Sequence, residues 1–532
     1  RGARFLTPFG CAGGGGGPTE AMLVNTRLSA ACDGLPRVEM TRVNDFCERL
    51  HEDVQAAQDR GVNVPVHTGE LPLELHRGTL TSQAWLKRAM RRAEEDLRLA
   101  EMLVSDALVR GTMRANSKEF AAARADLDRA WKTTLLNQFH DILPGSSIRE
   151  VYDDARTDMA RVQETISPHI ERLLAHAAEG VERGQVMMFN PASCDRDELA
   201  AFGDGLVRAR LSGLCFGAGD GREDLSGLGA ARIEPAADGA VRVSNGVLSA
   251  IIDRAGRVLS LALTHGDGRI VADLADGPLN QLVLHEDRPV LWDAWDVDAF
   301  AVREGEVDAR AGRLTVLERG PARVRVRVSR PLGRASTITQ EFELTAGSRR
   351  LDVRTSVDWR EEHRMLRVMF PVRAHASHAA FQTQFGRIER PTHTNTHKER
   401  AAFEVPVQRW MDLSQPDRGL TVLNQSQFGC CVDENVLGLT LLRSSRYPDA
   451  TADIGVHEFT YAMMPHGPRE RGLWTPDAEA QRLCRPVIVR GGTGTVGRGA
   501  KGRPASTGGA EGVSVSSEHD GGEIEVSAIK PR

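Results

Sequence analysis

The chain has 532 residues and a mass of 58.1 kDa, which is too long for one hydrophobic core and predicts about two to four domains. Hydrophobic residues make up 41% and charged residues 27%, as is typical of a globular protein. The net charge of −5, with no basic stripe and no long apolar run, excludes nucleic-acid and membrane partners from the expected functions.

The eight cysteines contain no C-x-x-C pair, so neither a zinc ribbon nor a disulfide framework is predicted. A reducing compartment, the cytoplasm, is the predicted location. Because the chain opens with Arg1 and not Met, we expect both ends to be cut. The lack of a signal peptide therefore carries no information.

Residues 1–80 are punctuated by Gly and Pro, with one helical stretch from about Arg42 to Arg60. Residues 81–180 then show an apolar repeat of three and four residues, which predicts amphipathic helices. The first helix has an apolar stripe, and a second helix is predicted through residues 121–139. The residues of that stripe are Leu86, Met90, Ala93, Leu97, Ala100, Val104 and Leu108.

A third helix is predicted from the apolar repeat that begins at Ile148 and continues through Tyr152, Ala155 and Met159. Ser147 and Glu150 fit a capping box, in which each side chain binds a free amide of the first turn. Three amphipathic helices in series bury their stripes against one another, so a three-helix bundle is expected.

After Gly180 the apolar repeat changes to two, which is the period of a strand with one buried face. We expect Val324, Val326 and Val328 to face a core, with the intervening arginines in water. Segments of this kind continue to about residue 490 and predict large antiparallel β-sandwiches. Residues 491–512 are typical of a linker, and a short strand, GEIEVSAIK, is predicted after them.

The glycine run FGCAGGGGGPT, residues 9–19, has the glycine content of a nucleotide-binding loop. A phosphate-binding loop needs a Lys and a Ser or Thr after its last glycine, whereas Pro18, Thr19 and Glu20 follow here. The favoured interpretation is a loop whose backbone has positive φ or makes a close approach.

The segment NQFHDILPGSS, residues 137–147, places His140 and Asp141 where the second helix ends. A histidine there can be structural, because its cation complements the helix dipole. It can also be a metal ligand whose second nitrogen is held by an acceptor. The residues alone favour the structural interpretation.

Other histidines are weaker candidates. Three H-x-D pairs could chelate a divalent ion, but we interpret all three as solvated charge. The pairs are His51 and Asp53, His265 and Asp267, and His285 and Asp287. His393 and His397 belong to a polar loop between strands, where we expect them to pack at a rim more readily than to contact a sugar.

Several segments together resemble the class II α-mannosidases, glycoside hydrolase family 38, in the cytosolic or bacterial branch. The similarity extends from Phe9 to about Pro531. The segments that carry it are GELPLELHRGTLTSQAWLKRAMRRAE, NQFHDILPGSSIREVYDDA, FGRIERPTHTNT, RWMDLS and RYPDATADIGVHEFTYAMMPH.

The resemblance implies an α+β multidomain protein with the end of an α/β barrel, a three-helix bundle and then large antiparallel β-sandwich domains. The expected boundaries are 1–70 for the end of the barrel, 71–180 for the bundle and 181–490 for the β-sandwich. A Gly-rich linker and the start of a terminal β segment would occupy 491–532. Most of the catalytic barrel would lie outside the chain.

The resemblance also implies a retaining glycosidase with a carboxylate nucleophile, a second carboxylic acid and a Zn²⁺ or other divalent ion that binds sugar hydroxyls. His140 matches the metal ligand that the helix bundle supplies in the family. Asp141 matches a residue that contacts substrate hydroxyls. The nucleophile and the other metal ligands have no counterpart in this sequence.

In the glycine run, related sequences place an Asp, a candidate general acid, at the position that matches Gly13. A glycine cannot donate a proton. A general acid contributes about 10² to 10⁴-fold in rate, so we expect the acid-assisted step to be lost.

The function expected from the resemblance is hydrolysis of terminal α-mannosides of oligosaccharides by a zinc-dependent enzyme, of which this chain would be an incomplete part. One alternative is an inactive remnant that only binds carbohydrate. Another is a mannosyl-glycerate-type hydrolase. The expected partner is a mannoside substrate, and a homo-oligomer is possible.

Overall fold

The computed structural model describes residues 4–11, 16–71, 75–264, 270–467 and 476–494. The chain divides into two compact units, residues 1–71 and 72–532. The mixture of helices and antiparallel sheets confirms the predicted α+β class. Eight α-helices lie in the described residues: α1 (Glu20–Ser29), α2 (Val43–Asp59), α3 (Ala84–Val109), α4 (Lys118–Leu136), α5 (Arg149–Glu179), α6 (Ala299–Arg303), α7 (His397–Arg400) and α8 (Pro476–Cys484).

The strands within the described ranges all belong to the second unit. They are β1 (Val186–Phe189), β2 (Arg196–Phe202), β3 (Gly205–Leu211), β4 (Phe216–Gly219), β5 (Arg232–Pro235), β6 (Val241–Ser244), β7 (Leu248–Ile252), β8 (Val258–Thr264), β9 (Ile270–Asp273), β10 (Gln281–Glu286), β11 (Gly305–Val307), β12 (Arg313–Arg319), β13 (Arg323–Leu332), β14 (Ser336–Thr345), β15 (Leu351–Trp359), β16 (Arg364–Pro371), β17 (His378–Thr383), β18 (Gly386–Pro391), β19 (Val405–Pro406), β20 (Trp410–Gln415), β21 (Arg418–Asn424), β22 (Gly429–Asp433), β23 (Val436–Arg443), β24 (Gly455–His466) and β25 (Ile488–Gly491).

These strands form five sheets, and the pairings within them are antiparallel. The largest sheet has nine strands in the order β12-β13-β14-β15-β24-β21-β20-β17-β18. A six-stranded sheet has the order β11-β10-β16-β23-β22-β19, and β5 to β9 form a five-stranded meander. The remaining sheets are β25-β1-β4 and β2-β3.

One apolar core joins the nine-, six- and five-stranded sheets, with buried residues such as Phe342, Val368 and Leu261 from the three sheets in turn. Burial alternates along β13, where Val324, Val326 and Val328 are buried. Arginines occupy the opposite face of that strand and pair with acidic residues of neighbouring strands, as Arg325 pairs with Glu341. The predicted alternation and the predicted sandwich are therefore confirmed.

Helices α3, α4 and α5 pack as the predicted three-helix bundle around a core of their own. The stripe of α3 is buried from Leu86 to Val104, and its last member, Leu108, is half-buried. The second helix is shorter at its C-terminal end than predicted, because it stops at Leu136 and residues 137–139 form turns.

Arg443, at the end of β23, is a fully buried guanidinium that joins three parts of the second unit. Its side chain lies 2.8 Å from the Asp287 carboxylate, which is also fully buried. It donates to the Ser82 hydroxyl, just before α3, at 3.0 Å. Backbone oxygens of the loop before α6 accept its other hydrogens at 2.8 to 3.0 Å; they belong to Asp293, Ala294 and Asp296.

The space around this guanidinium is filled, because a Cβ added to Gly78 would lie 1.9 Å from Arg443 Nη1. We expect Arg443→Met to lower the free energy of unfolding by about 3–5 kcal/mol, because it leaves the Asp287 carboxylate buried without its partner. Urea denaturation followed by circular dichroism measures this change.

The matched control is Arg446→Met, since Arg446 is a partly exposed arginine three residues away that pairs with Glu362 at 3.3 Å. A pair of this kind contributes up to about 1 kcal/mol. We also expect the double variant with Asp287→Leu to recover part of the loss. Equal losses for Arg443→Met and Arg446→Met would contradict the assigned role.

The interpretation of His285 and Asp287 as solvated charge is wrong, because both are buried, with 4% and 0% of their surface exposed. His285 Nδ1 lies 3.1 Å from the carbonyl oxygen of Ala301 in α6. Its Nε2 has no hydrogen-bond partner among the described residues. Burial, helped by the positive charge of Arg367, lowers the pKa of His285 to about 4.

This lowered pKa predicts a loss of stability in acid. Between about pH 6.5 and 4, the unfolded imidazole binds a proton that the folded one does not, so stability falls as the pH falls. The shift corresponds to about 3 kcal/mol across that window. We expect urea midpoints measured from pH 7 to 4 to fall less in His285→Gln than in the parent.

The control for this experiment is His176→Gln, because His176 lies at the exposed end of α5 beside Glu179. It should keep the pH dependence of the parent. If His285→Gln and the parent lost stability in parallel, His285 would not be the group that titrates.

Candidate functional site

Residues 137–147, which we call the HD turn, lead from the end of α4 to the start of α5. Consecutive backbone hydrogen bonds run from Ile142 N to Phe139 O at 2.9 Å and from Gly145 N to Ile142 O at 3.1 Å. Pro144 and Gly145 follow, and Gly145 has a φ of 93°, a conformation that favours glycine. The HD turn is therefore a series of tight turns that presents His140 and Asp141 at the end of the bundle.

His140 and Asp141 lie side by side and are accessible within the second unit. The imidazole Nε2 is 3.2 Å from Asp141 Oδ2, and the two side chains are 78% and 44% exposed. The Phe139 ring lies against the imidazole, with ring centres 4.2 Å apart. A nitrogen ligand and a carboxylate therefore stand together on one turn, and these are two donor types that zinc accepts.

The backbone of Asp141 is held from the start of α5. Its carbonyl oxygen accepts the Ser147 hydroxyl at 2.7 Å and lies 3.4 Å from the Tyr152 hydroxyl. The Ser146 hydroxyl lies 3.2 Å from Asp141 Oδ1. Burial raises the pKa of Tyr152, so its hydroxyl keeps its proton at neutral pH.

The predicted capping box at Ser147 and Glu150 is wrong. Helix α5 begins at Arg149, its N-cap residue is Ile148, and that cap has no side-chain hydrogen bond. Ser147 is one residue too early to cap the helix, and its hydroxyl binds Asp141 instead. A capping box does occur at Thr396 and Glu399, at the start of α7.

The far end of the HD turn is bound to the N-terminal end of α3. Lys87 is 5% exposed, and its ammonium lies 2.9 Å from Leu143 O and 3.3 Å from Pro144 O. A Cβ added to Gly145 would lie 2.4 Å from the carbonyl oxygen of Ser82. The turn therefore touches α3 so closely that only glycine fits at position 145.

The N-terminus of α3 is in turn capped by Asp453, from the segment RYPDATADIG. Its two carboxylate oxygens accept the backbone amides of Gln83 and Ala84 at 2.7 and 2.8 Å. Asp449 of the same segment accepts the Gln83 side chain at 2.8 Å. These residues of the β-rich region thus fix the helix against which the HD turn packs.

Gly13 lies outside the described residues, but the two ends of its loop are described. Gly16 N donates to Cys11 O at 2.9 Å, and Cys11 N donates to Gly17 O at 3.3 Å. A Cβ added to Gly10 would lie 2.2 Å from Gly16 O. The predicted close backbone approach is thus present at Gly10, and Thr19 caps α1 through Met22 N.

His393 and His397 lie on the loop between β18 and β19. His393 Nδ1 is 3.3 Å from Glu399 and 3.2 Å from the Asn395 amide. His397 is the first residue of α7 and is exposed. These contacts hold the loop together, as a packing role predicts.

Within the described residues, His140 and Asp141 do not form a complete metal site. No group of three or more His, Cys, Asp or Glu side chains in these ranges could hold a metal ion. A catalytic zinc usually has three protein ligands, so the pair fits only part of such a site.

Among the residues that the structure describes, no helix is both long and apolar enough to span a bilayer.

Two family models match the chain, and their limits follow the architecture described above. Residues 74–176, which contain the bundle, match the alpha mannosidase middle domain. Residues 243–451, which contain most of the β-sandwich, match the glycosyl hydrolases family 38 C-terminal domain. The chain belongs to glycoside hydrolase family 38. The resemblance in the sequence is thus confirmed.

Curated members of family 38 are similar over most of the chain. Alpha-mannosidase 2C1 of Mus musculus is 36% identical over 472 residues, and the same protein of Homo sapiens is also 36% identical. Alpha-mannosidase G of Dictyostelium discoideum is 31% identical over 523 residues. Each match covers 86% of this chain but only 44%, 44% and 46% of the relative. The chain therefore spans less than half the length of these relatives.

Solved structures of family 38 share the fold. The crystal structure of an alpha-mannosidase from Enterococcus faecalis V583 has a TM-score of 0.63 and covers 84% of this chain and 62% of that one. A second family 38 structure from Enterococcus faecalis also scores 0.63 and covers 88% and 68%. Both are 13% identical to this chain, so they support the fold alone.

The residues that hold the HD turn in place carry no recognisable sequence signal in this family 38 chain. Lys87 lies beside the apolar stripe of α3, next to Leu86, and no sequence pattern sets it apart from the neighbouring Arg88. Nothing in the local sequence indicated that Asp453 caps a helix 370 residues away, as its bond to Gln83 requires.

The roles of Ser147 and Glu150 can be separated by experiment. We expect Ser147→Ala to cost about 1 kcal/mol of stability, because it removes a hydrogen bond to Asp141. Glu150→Ala should stay within about 0.5 kcal/mol, since Glu150 is exposed and does not cap α5. Thermal unfolding of both variants measures the difference. Equal costs would instead favour the capping box.

Proposed function

We propose that this chain is part of an α-mannosidase that hydrolyses terminal α-mannosides of oligosaccharides. One observation carries the proposal: an accessible His140 and Asp141 on a turn that is held in place, in a chain 36% identical to alpha-mannosidase 2C1. Because the chain spans less than half of that relative, the activity is proposed for the protein of which these residues are a part.

In this proposal His140 supplies one ligand to a Zn²⁺ or other divalent ion. Imidazole is a common zinc ligand, and a neighbouring acceptor usually orients the ring. Asp141 Oδ2, 3.2 Å from Nε2, is such an acceptor. The ion would bind sugar hydroxyls when present, but the described residues supply too few ligands for a complete site, so we derive no catalytic step through it.

Asp141 is proposed to bind substrate hydroxyls. A carboxylate accepts hydrogen bonds from hydroxyl groups, and its negative charge makes these bonds stronger. The carboxylate is partly exposed, while its backbone is fixed by Ser147 and Tyr152. A carboxylate on a fixed backbone can orient a sugar ring with little loss of conformational freedom on binding.

The retaining mechanism needs a nucleophilic carboxylate and an acid on either side of the scissile bond. We propose retention of configuration on the resemblance to the family, and we assign neither carboxylate to the described residues. Gly13 occupies the position at which related sequences have a candidate acid.

A second candidate function is carbohydrate binding without hydrolysis. It is favoured by the partial donor set at His140 and Asp141 and by glycine at position 13. A mannosyl-glycerate substrate is a variant of the first proposal, and a putative mannosylglycerate hydrolase of Halalkalibacterium halodurans is 26% identical over 140 residues. The rates at which the protein hydrolyses a mannoside and mannosyl-glycerate distinguish the two enzymes.

A cytoplasmic location is also proposed. Cys11, Cys32 and Cys47 are free and exposed thiols, which suit a reducing compartment. Microscopy of the tagged protein in its native cell tests this proposal, and secretion of the protein would contradict it.

Release of p-nitrophenol from p-nitrophenyl α-mannoside tests the enzymatic proposal. The assay uses the longest polypeptide of the native reading frame that contains residues 1–532. We expect His140→Ala to lower kcat/KM at least about a hundredfold, since even residues that only orient a metal ligand contribute 10- to 100-fold. Asp141→Asn should lower it about 10- to 100-fold, the value of a hydrogen bond to a charged group.

His176→Ala is the matched control, since His176 is an exposed histidine of the same bundle, and it should leave kcat/KM unchanged. Chelation should abolish turnover, and added Zn²⁺ should restore it. If the parent protein binds mannose by calorimetry but shows no turnover with Zn²⁺, the second candidate replaces the first. If His140→Ala behaves like His176→Ala, the metal role of His140 is wrong.

A further inference from the structure

We propose that Lys87 is a positioning residue that fixes His140 and Asp141 relative to helix α3. The inference rests on the proposed function, because it takes these two residues as the ligand-binding groups. Its structural part concerns the HD turn alone, so it can be tested without substrate or metal.

The ammonium of Lys87 binds backbone carbonyls on both sides of the contact between α3 and the HD turn. Its nitrogen lies 2.5 Å from Ser82 O, at the start of α3, and 2.9 and 3.3 Å from Leu143 O and Pro144 O in the turn. An ammonium has three hydrogens to donate, and each of these carbonyls is within reach of one. All three hydrogens of the Lys87 ammonium are therefore used, and they connect the HD turn to the start of α3.

The HD turn is attached to α3 at both ends, and His140 and Asp141 lie between the two attachments. At the first end, the Gln138 side chain donates to Glu94 of α3 at 2.9 Å. Lys87 makes the second attachment. A segment fixed at two points has few positions available, so loss of either attachment should release the residues between them.

Close packing at Gly145 fixes the distance between the HD turn and the start of α3 at this second attachment. Its Cα is so near Ser82 that an added Cβ would lie 2.4 Å from Ser82 O. Its φ of 93° also disfavours any residue with a side chain. A larger residue at this position should push the same turn away from α3.

The hydrogen bonds from Ser147 and Tyr152 do not replace Lys87. They join Asp141 O to the start of α5 and thus fix the turn relative to that helix. Lys87 fixes it relative to α3, whose start is capped by Asp453 of the β-rich region. Lys87 therefore contributes to the link between the candidate site and the β-rich region.

Lys87 lies between charges of both signs. Burial lowers its pKa to about 7, the Asp453 carboxylate opposes this change, and the Arg443 guanidinium adds to it. We therefore choose pH 6 for the experiment, where Lys87 carries its charge. At this pH the three hydrogen bonds are those of an ammonium.

The experiment compares Lys87→Met with the parent chain by nuclear magnetic resonance at pH 6. We expect the His140 ring signals to move, because the imidazole changes its position relative to Phe139 and Asp141. We also expect amide hydrogen exchange at Ile142, Leu143 and Gly145 to become about 10- to 100-fold faster, the value of a lost hydrogen bond to a charged group.

Two controls separate positioning from general destabilisation. Arg88→Met removes a cation from the next position of α3, where the side chain is half exposed and pairs with Glu458, and it should change neither measurement. Leu97→Ala weakens the bundle core, since Leu97 is fully buried, and should speed exchange throughout the bundle together. If Lys87→Met gave this uniform pattern, or no change, the inference would be overturned.

If Lys87→Met does not fold, Lys87→Gln provides the same test, because it removes the ammonium while keeping a polar side chain at position 87. Shifted His140 signals with faster exchange confined to the turn would support the inference, and unshifted signals would overturn it. In the mannoside assay, Lys87→Met should lower kcat/KM at least tenfold. A shift of His140 without any mannosidase activity in the parent would mean that the proposed function fails while the positioning role stands.

Discussion

The second unit depends on the buried guanidinium of Arg443. A buried charged group is stable only when its hydrogens have acceptors and its charge has a counter-charge. For Arg443, the Asp287 carboxylate supplies the counter-charge. The Ser82 hydroxyl and backbone oxygens of the loop before α6 accept the remaining hydrogens. Those partners belong to a strand end, a loop and the segment before a helix. Because Arg443 needs all of them, these three elements can occupy only one arrangement around it.

The candidate site follows from that arrangement. Ser82, which binds Arg443, also contacts Gly145 of the HD turn. Asp453 caps α3 at the adjacent residues, and Lys87 extends the connection to the turn itself. His140 and Asp141 thus stand on a turn whose position is decided by residues from the β-rich region. The bundle supplies the two candidate side chains, and residues of the β-rich region fix their position.

The fold followed well from the sequence wherever its signal was periodic. The repeats of three and four residues predicted the stripe of α3, and the repeat of two predicted the buried valines of β13. Helix ends were harder to predict, because they depend on single hydrogen bonds. Ser147 satisfied the sequence pattern of a cap, yet its hydroxyl binds the Asp141 carbonyl, and the helix begins after Ile148.

Charged residues show the limit of prediction most clearly. The H-x-D pair of His285 and Asp287 has the composition of a solvated turn, but both residues are buried because α6 covers one and Arg443 pairs with the other. The sequence by itself determined the family, the helical and β periods and the identity of His140 and Asp141 as candidates. Only the tertiary structure decided which of the charges are buried and what holds the HD turn, because most of those roles depend on partners in other helices, strands and loops that no local pattern encodes.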